Sequence, residues 1–207
     1  MAAQSPIGGG GVKPLSDAIW RAFGMRDVFG QIQRGKRLKT ADHVSGSMPY
    51  ISSSAMNNGV DNFIANDDGV RIFSNCLTIA NSGSVGSCFY HSYKFVASDH
   101  VTQLKKSGLS AFQYLFLSVM CLKLSCKYNF NREISDKRIG REKVFLPATP
   151  DGKPDFEYMD AYGHKIERER IDRYFAYRLT QQVTASHQPC VAVTMEGKHR
   201  RRRAGVR

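Results

Sequence analysis

From Trp20 to about Ala97 the chain alternates short apolar runs with polar clusters. "MRDVFGQI", "MPYISSS", "VDNFIA", "VRIFSNCLTIA" and "CFYHSYKFVAS" are rich in Val, Ile, Phe and Tyr, and Gly, Asn and Asp separate them. That is the pattern of strands joined by turns. "NNG" (57–59) and "NDDG" (66–69) mark turns because these residues tolerate positive φ. At "SAFQYLFLSVMCLKL" the period changes. Ser110 and Gln113 stand at the spacing of a capping box, and apolar residues on nearly every side predict a helix packed against a sheet. "NREISDKRIGREKVFLP" reads as a basic irregular segment ending in a short strand, and "TPDGKP" as a turn.

A last element begins at Asp155, a plausible N-cap residue. Phe156, Met159, Tyr162 and Ile166 fall on one helical face, and Tyr174 and Tyr177 are read as its extension. Gly163 is expected to weaken or interrupt this helix. The pattern thus predicts a mixed α/β (α+β) fold: a twisted, mostly antiparallel sheet with a packed helix, then a C-terminal amphipathic helix. The expected divisions are a flexible arm at 1–18 containing "GGGG", a globular domain at 19–154, a spacer or dimerisation helix at 155–183 and a disordered basic tail at 184–207.

Composition narrows the function. The chain has 207 residues and a formal net charge of +12. Six positive charges and no acid fall in 198–207, so the remainder still carries +6. A basic body interleaved with aromatics points to a polyanion, nucleic acid above all. Five cysteines without paired spacing, and no charged-then-apolar leader, imply reduced thiols in a cytoplasm. The most apolar stretch, between Lys106 and Lys123, falls short of the roughly 20 apolar residues of a membrane span.

Catalytic motifs are absent. "SGSVGS" between two β-prone runs lacks the lysine of a P-loop, the helix that follows a dinucleotide fingerprint, and the frame of a nucleophile elbow. It reads as a hairpin turn whose small residues permit close approach by a strand, a phosphate or a base edge. Cys88 and His91 point to opposite faces of a strand, Cys121 and Cys126 diverge on a helix, and His43, His100 and His164 have no patterned partners. No metal site or catalytic residue is expected. Asp155 with Glu196 imitates the acidic pair of a metal-dependent nuclease, but Glu196 falls in the basic tail, where it cannot share a rigid Mg²⁺ site. The methyltransferase tetrapeptide and a cofactor loop are missing too.

A binding surface remains. Arg34, Lys36, Arg37 and Lys39 surround Gly35; Arg132, Lys137 and Arg138 stand in the second basic segment; Lys94 lies between two apolar runs. Asn57, Asn58, Asn81 and Ser84 occupy turns. Arg and Lys neutralise phosphates or pair with guanine, and Asn can bond adenine through N6 and N7. These twelve are the candidate DNA contacts.

The blocks "DVFGQIQRGKRL", "PYISSSAMNNGVDNFI", "IANSGSVGSCFYHSYKFVASDHVTQL" and "REKVFLPATPDGKPDFEYMDAY" occur in the order of a target recognition domain. From about Trp20 to Ile166 the chain resembles such domains in the DNA-specificity (S) subunits of type I and BcgI-like restriction-modification systems. The resemblance implies a non-catalytic unit that reads half of a bipartite duplex target. Its trailing helix (Phe156, Met159, Tyr162, Ile166, Tyr174, Tyr177) would pair with a second half-subunit or another copy and engage methyltransferase and restriction subunits. S-adenosylmethionine, ATP and Mg²⁺ would belong to those subunits, and this chain would need no cofactor and no membrane. Two rival readings are the nuclease using Asp155 and Glu196, and an assembly module that no longer reads DNA. S subunits usually carry two recognition domains, whereas this chain has room for one.

Overall fold

A computed structural model describes residues 11–128 and 132–186. In chain order its main elements are β1 (Trp20–Gly24), α1 (Met25–Val28), β2 (Gln31–Arg34), β3 (Ser45–Ile51), β4 (Val60–Ile64), β5 (Ile72–Phe73), β6 (Cys76–Ala80), β7 (Cys88–His91), β8 (Phe95–Ala97), β9 (Val101–Lys105), α2 (Ala111–Leu122), α3 (Asp136–Ile139), β10 (Lys143–Pro147) and α4 (Phe156–Ser186). The expected strands are distributed over three sheets. Their orders are β1-β10, β2-β9-β6-β7 and β4-β3-β8-β5. Pairing is antiparallel except between β3 and β8, where Tyr50 opposes Val96 and Ile51 opposes Ala97. Residues 184–186, expected in the disordered tail, end α4 instead; the rest of the basic tail, with Glu196, lies outside the described residues.

Alternation along β6 explains how the layers stack. Leu77 and Ile79 enter the main core with Leu104, Tyr114, Leu117 and Cys121, so α2 covers that face. Cys76, from the other face of the strand, joins Val101, Ile51, Phe73, Phe95 and Ala97 in a second core between the four-stranded sheets. Burial on both faces makes all five β6 residues buried. A third cluster, Tyr50, Ile64 and Val96, lies under Leu38, Met48 and Val70. Cys88 and Cys121 are core thiols, and contact with Cys121 together with burial pushes the Cys88 thiol up.

The capping box forms as expected. Gln113 N–H donates to Ser110 Oγ at 3.2 Å, and Ser110 N–H donates to Gln113 Oε1 at 2.9 Å. Both side chains also reach α4: Ser110 Oγ donates to Asp160, and Gln113 Nε2 donates to Phe156 O at 3.0 Å. One motif thus starts a helix and fastens a second. Asp155 caps α4 by accepting from Tyr158 N–H at 2.9 Å.

Gly163 does not interrupt α4. A Cβ at that position would stand 2.6 Å from Phe112 Cβ. The glycine lets the helices approach, and packing outweighs its low helix propensity.

The compact unit ends at Glu167, and a second begins at Arg168. In the first unit Met159 is fully buried, with Phe156 packed against the main core. Beside them an apolar groove of about 370 Å³ is lined by Leu15, Trp20, Leu115, Phe116, Tyr162 and Ile166, among others. In the second unit Ile171, Tyr174, Phe175, Tyr177 and Leu179 are exposed. The face read for α4 continues through Tyr174 and Tyr177, which lie at the same helical angles as Phe156 and Met159. At about 100° per residue, Ile171, Phe175 and Leu179 fall roughly 140–220° around the helix from Ile166. These three form a second apolar face on the distal helix, exposed in the second unit.

His91 is buried, with Nε2 2.9 Å from Thr78 Oγ1 and Nδ1 3.1 Å from the Tyr93 hydroxyl. Burial pushes its pKa down to about 4 from 6.5.

Two outcomes are expected. Gly163→Ala would stabilise an exposed helix by about 1 kcal/mol, but here the Phe112 clash should make it destabilising by roughly 1–3 kcal/mol in urea unfolding. Between pH 6.5 and about 4 the unfolded chain binds a proton that folded His91 refuses, so stability falls as the pH drops. The loss should approach about 3 kcal/mol; His91→Gln, compared at pH 7 and 4.5, should flatten that part of the acid slope.

Candidate nucleic-acid interface

Strand register brings the C-terminal ends of β2, β3, β6 and β8 to one place, the Ser98–His100 turn. Arg34 and Ile79 both oppose Thr102 at the start of β9. Ile51, the last residue of β3, accepts from Ser98 N–H at 3.0 Å, and Ala97 O accepts from Lys36 N–H at 3.0 Å. Gly35 touches the turn so closely that a Cβ would lie 2.1 Å from Ser98 O. This is why a glycine stands inside the basic run.

Asn81 closes the cluster. Its backbone N–H donates to His100 O at 2.8 Å, and its carbonyl accepts from Ile134 N–H at 3.0 Å. Its side-chain Oδ1 accepts from Thr102 Oγ1 at 2.9 Å. Asn81 is fully buried, which makes it a structural crosslink rather than a surface contact. Ser84 is half-buried; its N–H donates to Ser53 O at 3.0 Å. Gly83 and Gly86, both at positive φ, press against Ser53 and Ser125 respectively. The glycine-rich turn is therefore a scaffold supporting the β3–β4 loop.

That loop carries Asn57 and Asn58 outward. Both are exposed and left-handed, at φ 49° and 54°. Lys36, Arg37 and Lys39 are exposed as well, anchored by Leu38, which packs over Tyr50 and Val96. Arg34 is half-buried. Its Nε and Asn81 Nδ2 are buried without a protein partner among the described residues.

The remaining candidates divide. Arg132 is exposed with its guanidinium 5.5 Å from the Tyr128 ring, and Ile134 ties its segment to Asn81. Lys137 and Arg138 are exposed on α3, where Arg138 Nη1 donates to Glu133 O at 2.6 Å. Lys94 is also exposed, but it follows β7 at the opposite end of the strands, since His91 pairs with Cys76 at the start of β6. The structure does not bring Lys94 to the cluster.

Three residues at this end escaped the sequence reading. Arg71 Nη1 donates to Arg34 O at 2.5 Å, which ties its guanidinium to the backbone of the basic run. Ser82 Oγ lies 2.7 Å from His100 Nδ1, and Asp99 Oδ1 lies 3.9 Å from His100 Nε2. So His100 has partners after all; they are 18 residues away in one case and adjacent in the other. Only "NDDGVR" offered a sequence signal, a basic residue just after a turn.

The chemistry on offer is recognition. The cluster presents cations, amides and one imidazole on loops held by buried polar bonds. Asp155, needed by the nuclease reading, is occupied as the cap of α4.

Comparison with known proteins agrees with this geometry. Residues 19–173 match the type I restriction modification DNA specificity domain family. The chain is 32% identical over 164 residues to the Type II restriction enzyme BgcI specificity subunit S.BcgI of Heyndrickxia coagulans, covering 78% of this chain and 48% of that protein. The S subunit of a type I restriction-modification system from M. genitalium superposes with a TM-score of 0.54 at 18% identity, over 82% of this chain and 44% of that one. The HsdS subunit from Thermoanaerobacter tengcongensis gives 0.53 at 16% identity, over 79% and 40%. The chain thus spans about half the length of these relatives. With residues 19–173 matched by the family, well over half of its length, the chain belongs to the type I restriction modification DNA specificity domain family.

Proposed function

We propose that this chain reads a short sequence in double-stranded DNA on behalf of catalytic subunits that it does not itself contain. The carrying observation is the convergence of four strand ends, where exposed Lys36, Arg37, Arg71, Asn57 and Asn58 surround a buried hydrogen-bonded base. Cations fix the register on phosphates, while amides and imidazole address base edges. Arg132, Lys137 and Arg138 extend the positive surface. In this reading methyltransferase and restriction subunits supply S-adenosylmethionine, ATP and Mg²⁺ chemistry, this chain holds no cofactor, and the complex works on cytoplasmic DNA.

The trailing helix supplies the contact to a second copy. Residues 155–167 carry Asp155, Glu157, Asp160 and Glu167 against Lys165, a net −3; residues 168–186 carry Arg168, Arg170, Arg173 and Arg178 against Glu169 and Asp172, a net +2. Two such helices running antiparallel set acidic halves against basic ones, and parallel pairing would oppose like charges. Exposed Ile171, Tyr174, Phe175 and Leu179 provide the apolar seam.

Two measurements test these claims. Lys36→Ala with Arg71→Ala should weaken binding to all duplexes and reduce the slope of log K against log salt by about 0.9 per lost phosphate contact; an unchanged slope excludes this face. Phe175→Glu with Leu179→Glu should convert a dimer to a monomer in sedimentation while the first unit's thermal transition stays in place. A wild-type chain already monomeric at high concentration excludes the pairing.

A further inference from the structure

His100 is the one imidazole among the described residues that combines an exposed ring with a place in the strand-end cluster. Its side chain is 52% accessible, and it stands next to the junction of both four-stranded sheets. Ser82 is 8% exposed and engages Nδ1 at 2.7 Å. A serine hydroxyl can donate or accept; the carboxylate beside Nε2 favours the proton on that nitrogen, and Ser82 then donates to Nδ1. The Asp99 carboxylate stands 3.9 Å from that nitrogen and is itself 31% accessible.

The pair therefore presents a donor and an acceptor side by side. A phosphate is a poor match, because the carboxylate repels it. Guanine in the major groove offers two acceptors, N7 and O6, and would leave the carboxylate facing one of them. Cytosine offers a donor only. On a single base only adenine presents an amino donor, N6, beside a ring acceptor, N7; a G·C pair offers an acceptor beside a donor only across two bases, at O6 and N4. We propose that His100 and Asp99 together read an adenine through its major-groove edge, His100 donating to N7 and Asp99 accepting from N6, with Ser82 as the positioning residue that holds the ring. The assignment rests on the DNA-reading function above.

The backbone around the pair is suited to this. Ser98 N–H, His100 O and Val101 O are all bonded to other segments, so the turn is held from three sides. A base contact needs such fixation, whereas a solvated histidine on a free loop would not. Ser82 stands between Asn81 and Gly83, and its hydroxyl spans from the β6–β7 turn to the β8–β9 turn.

The test uses the full chain co-expressed with the methyltransferase subunit of the same system. The complex is selected on a random duplex library, and the enriched motif is then rebuilt with 7-deazaadenine at one adenine at a time. One position should lose binding by about 10-fold or more when N7 is removed. His100→Ala should relax the motif at that position alone and abolish its response to 7-deazaadenine. Asp99→Asn should relax the same position. Ser82→Ala should weaken discrimination there without altering the other positions, and Ser82→Thr, which keeps the hydroxyl, should restore it. Thermal unfolding of each variant checks that the fold persists; if Ser82→Ala fails to fold, the variants at exposed His100 and half-buried Asp99 still decide. An unchanged motif for His100→Ala overturns the assignment and leaves the DNA-reading function standing. A wild-type complex that enriches no motif overturns both.

Discussion

The buried hydrogen bonds of Asn81 are the constraint on which this surface depends. One residue at the end of β6 joins the β8–β9 turn, the start of β9 and the segment leading to α3. Each bond replaces water that the polar groups would otherwise demand, and losing one partner would strand another inside the protein at a cost of about 1–3 kcal/mol. The same bonds thus stabilise the fold and hold the loops. A core residue of equal volume, Leu for instance, would keep the packing and both backbone bonds but strand the Thr102 hydroxyl without its acceptor.

Local chemistry was legible in the sequence wherever a short segment determines its own geometry. The capping box of Ser110 and Gln113, the cap at Asp155 and the left-handed asparagines at 57 and 58 all follow from residue type and spacing. Register was not legible. The parallel pairing of β3 with β8 and the arrival of Arg71 beside Arg34 depend on contacts between distant segments. The Ser82–His100 pair belongs to the same class, because no periodicity links a turn residue to another turn 18 positions later. Asn81 shows the converse: its turn was evident, but the completeness of its burial required the third dimension.

Gly163 and the distal residues of α4 show how a correct element can carry a wrong internal reading. Helix propensity treats the glycine as a defect; the Phe112 contact makes it the place where two helices meet. Likewise, the pattern read from Phe156 to Tyr177 left out Ile171, Phe175 and Leu179, which form a second, exposed face on the distal helix. A helix serving two surfaces loses the single-stripe signature by which amphipathicity is recognised.

Separation of tasks follows from these placements. The side chains offered to solvent at Lys36, Arg37, Asn57 and Asn58 contribute none of the buried core, whereas Leu38, Asn81 and the close-approach glycines anchor the backbone beneath them. Recognition groups can therefore change with little effect on stability, while changes to the anchors move every loop at once. A surface built to distinguish base edges needs both properties. Hydrogen-bond discrimination fails when donors wander by an ångström, and new targets are reached only if the donors themselves are replaceable. The exposed, turn-borne position of His100 places it among the replaceable groups, and its buried partner Ser82 places its orientation among the fixed ones.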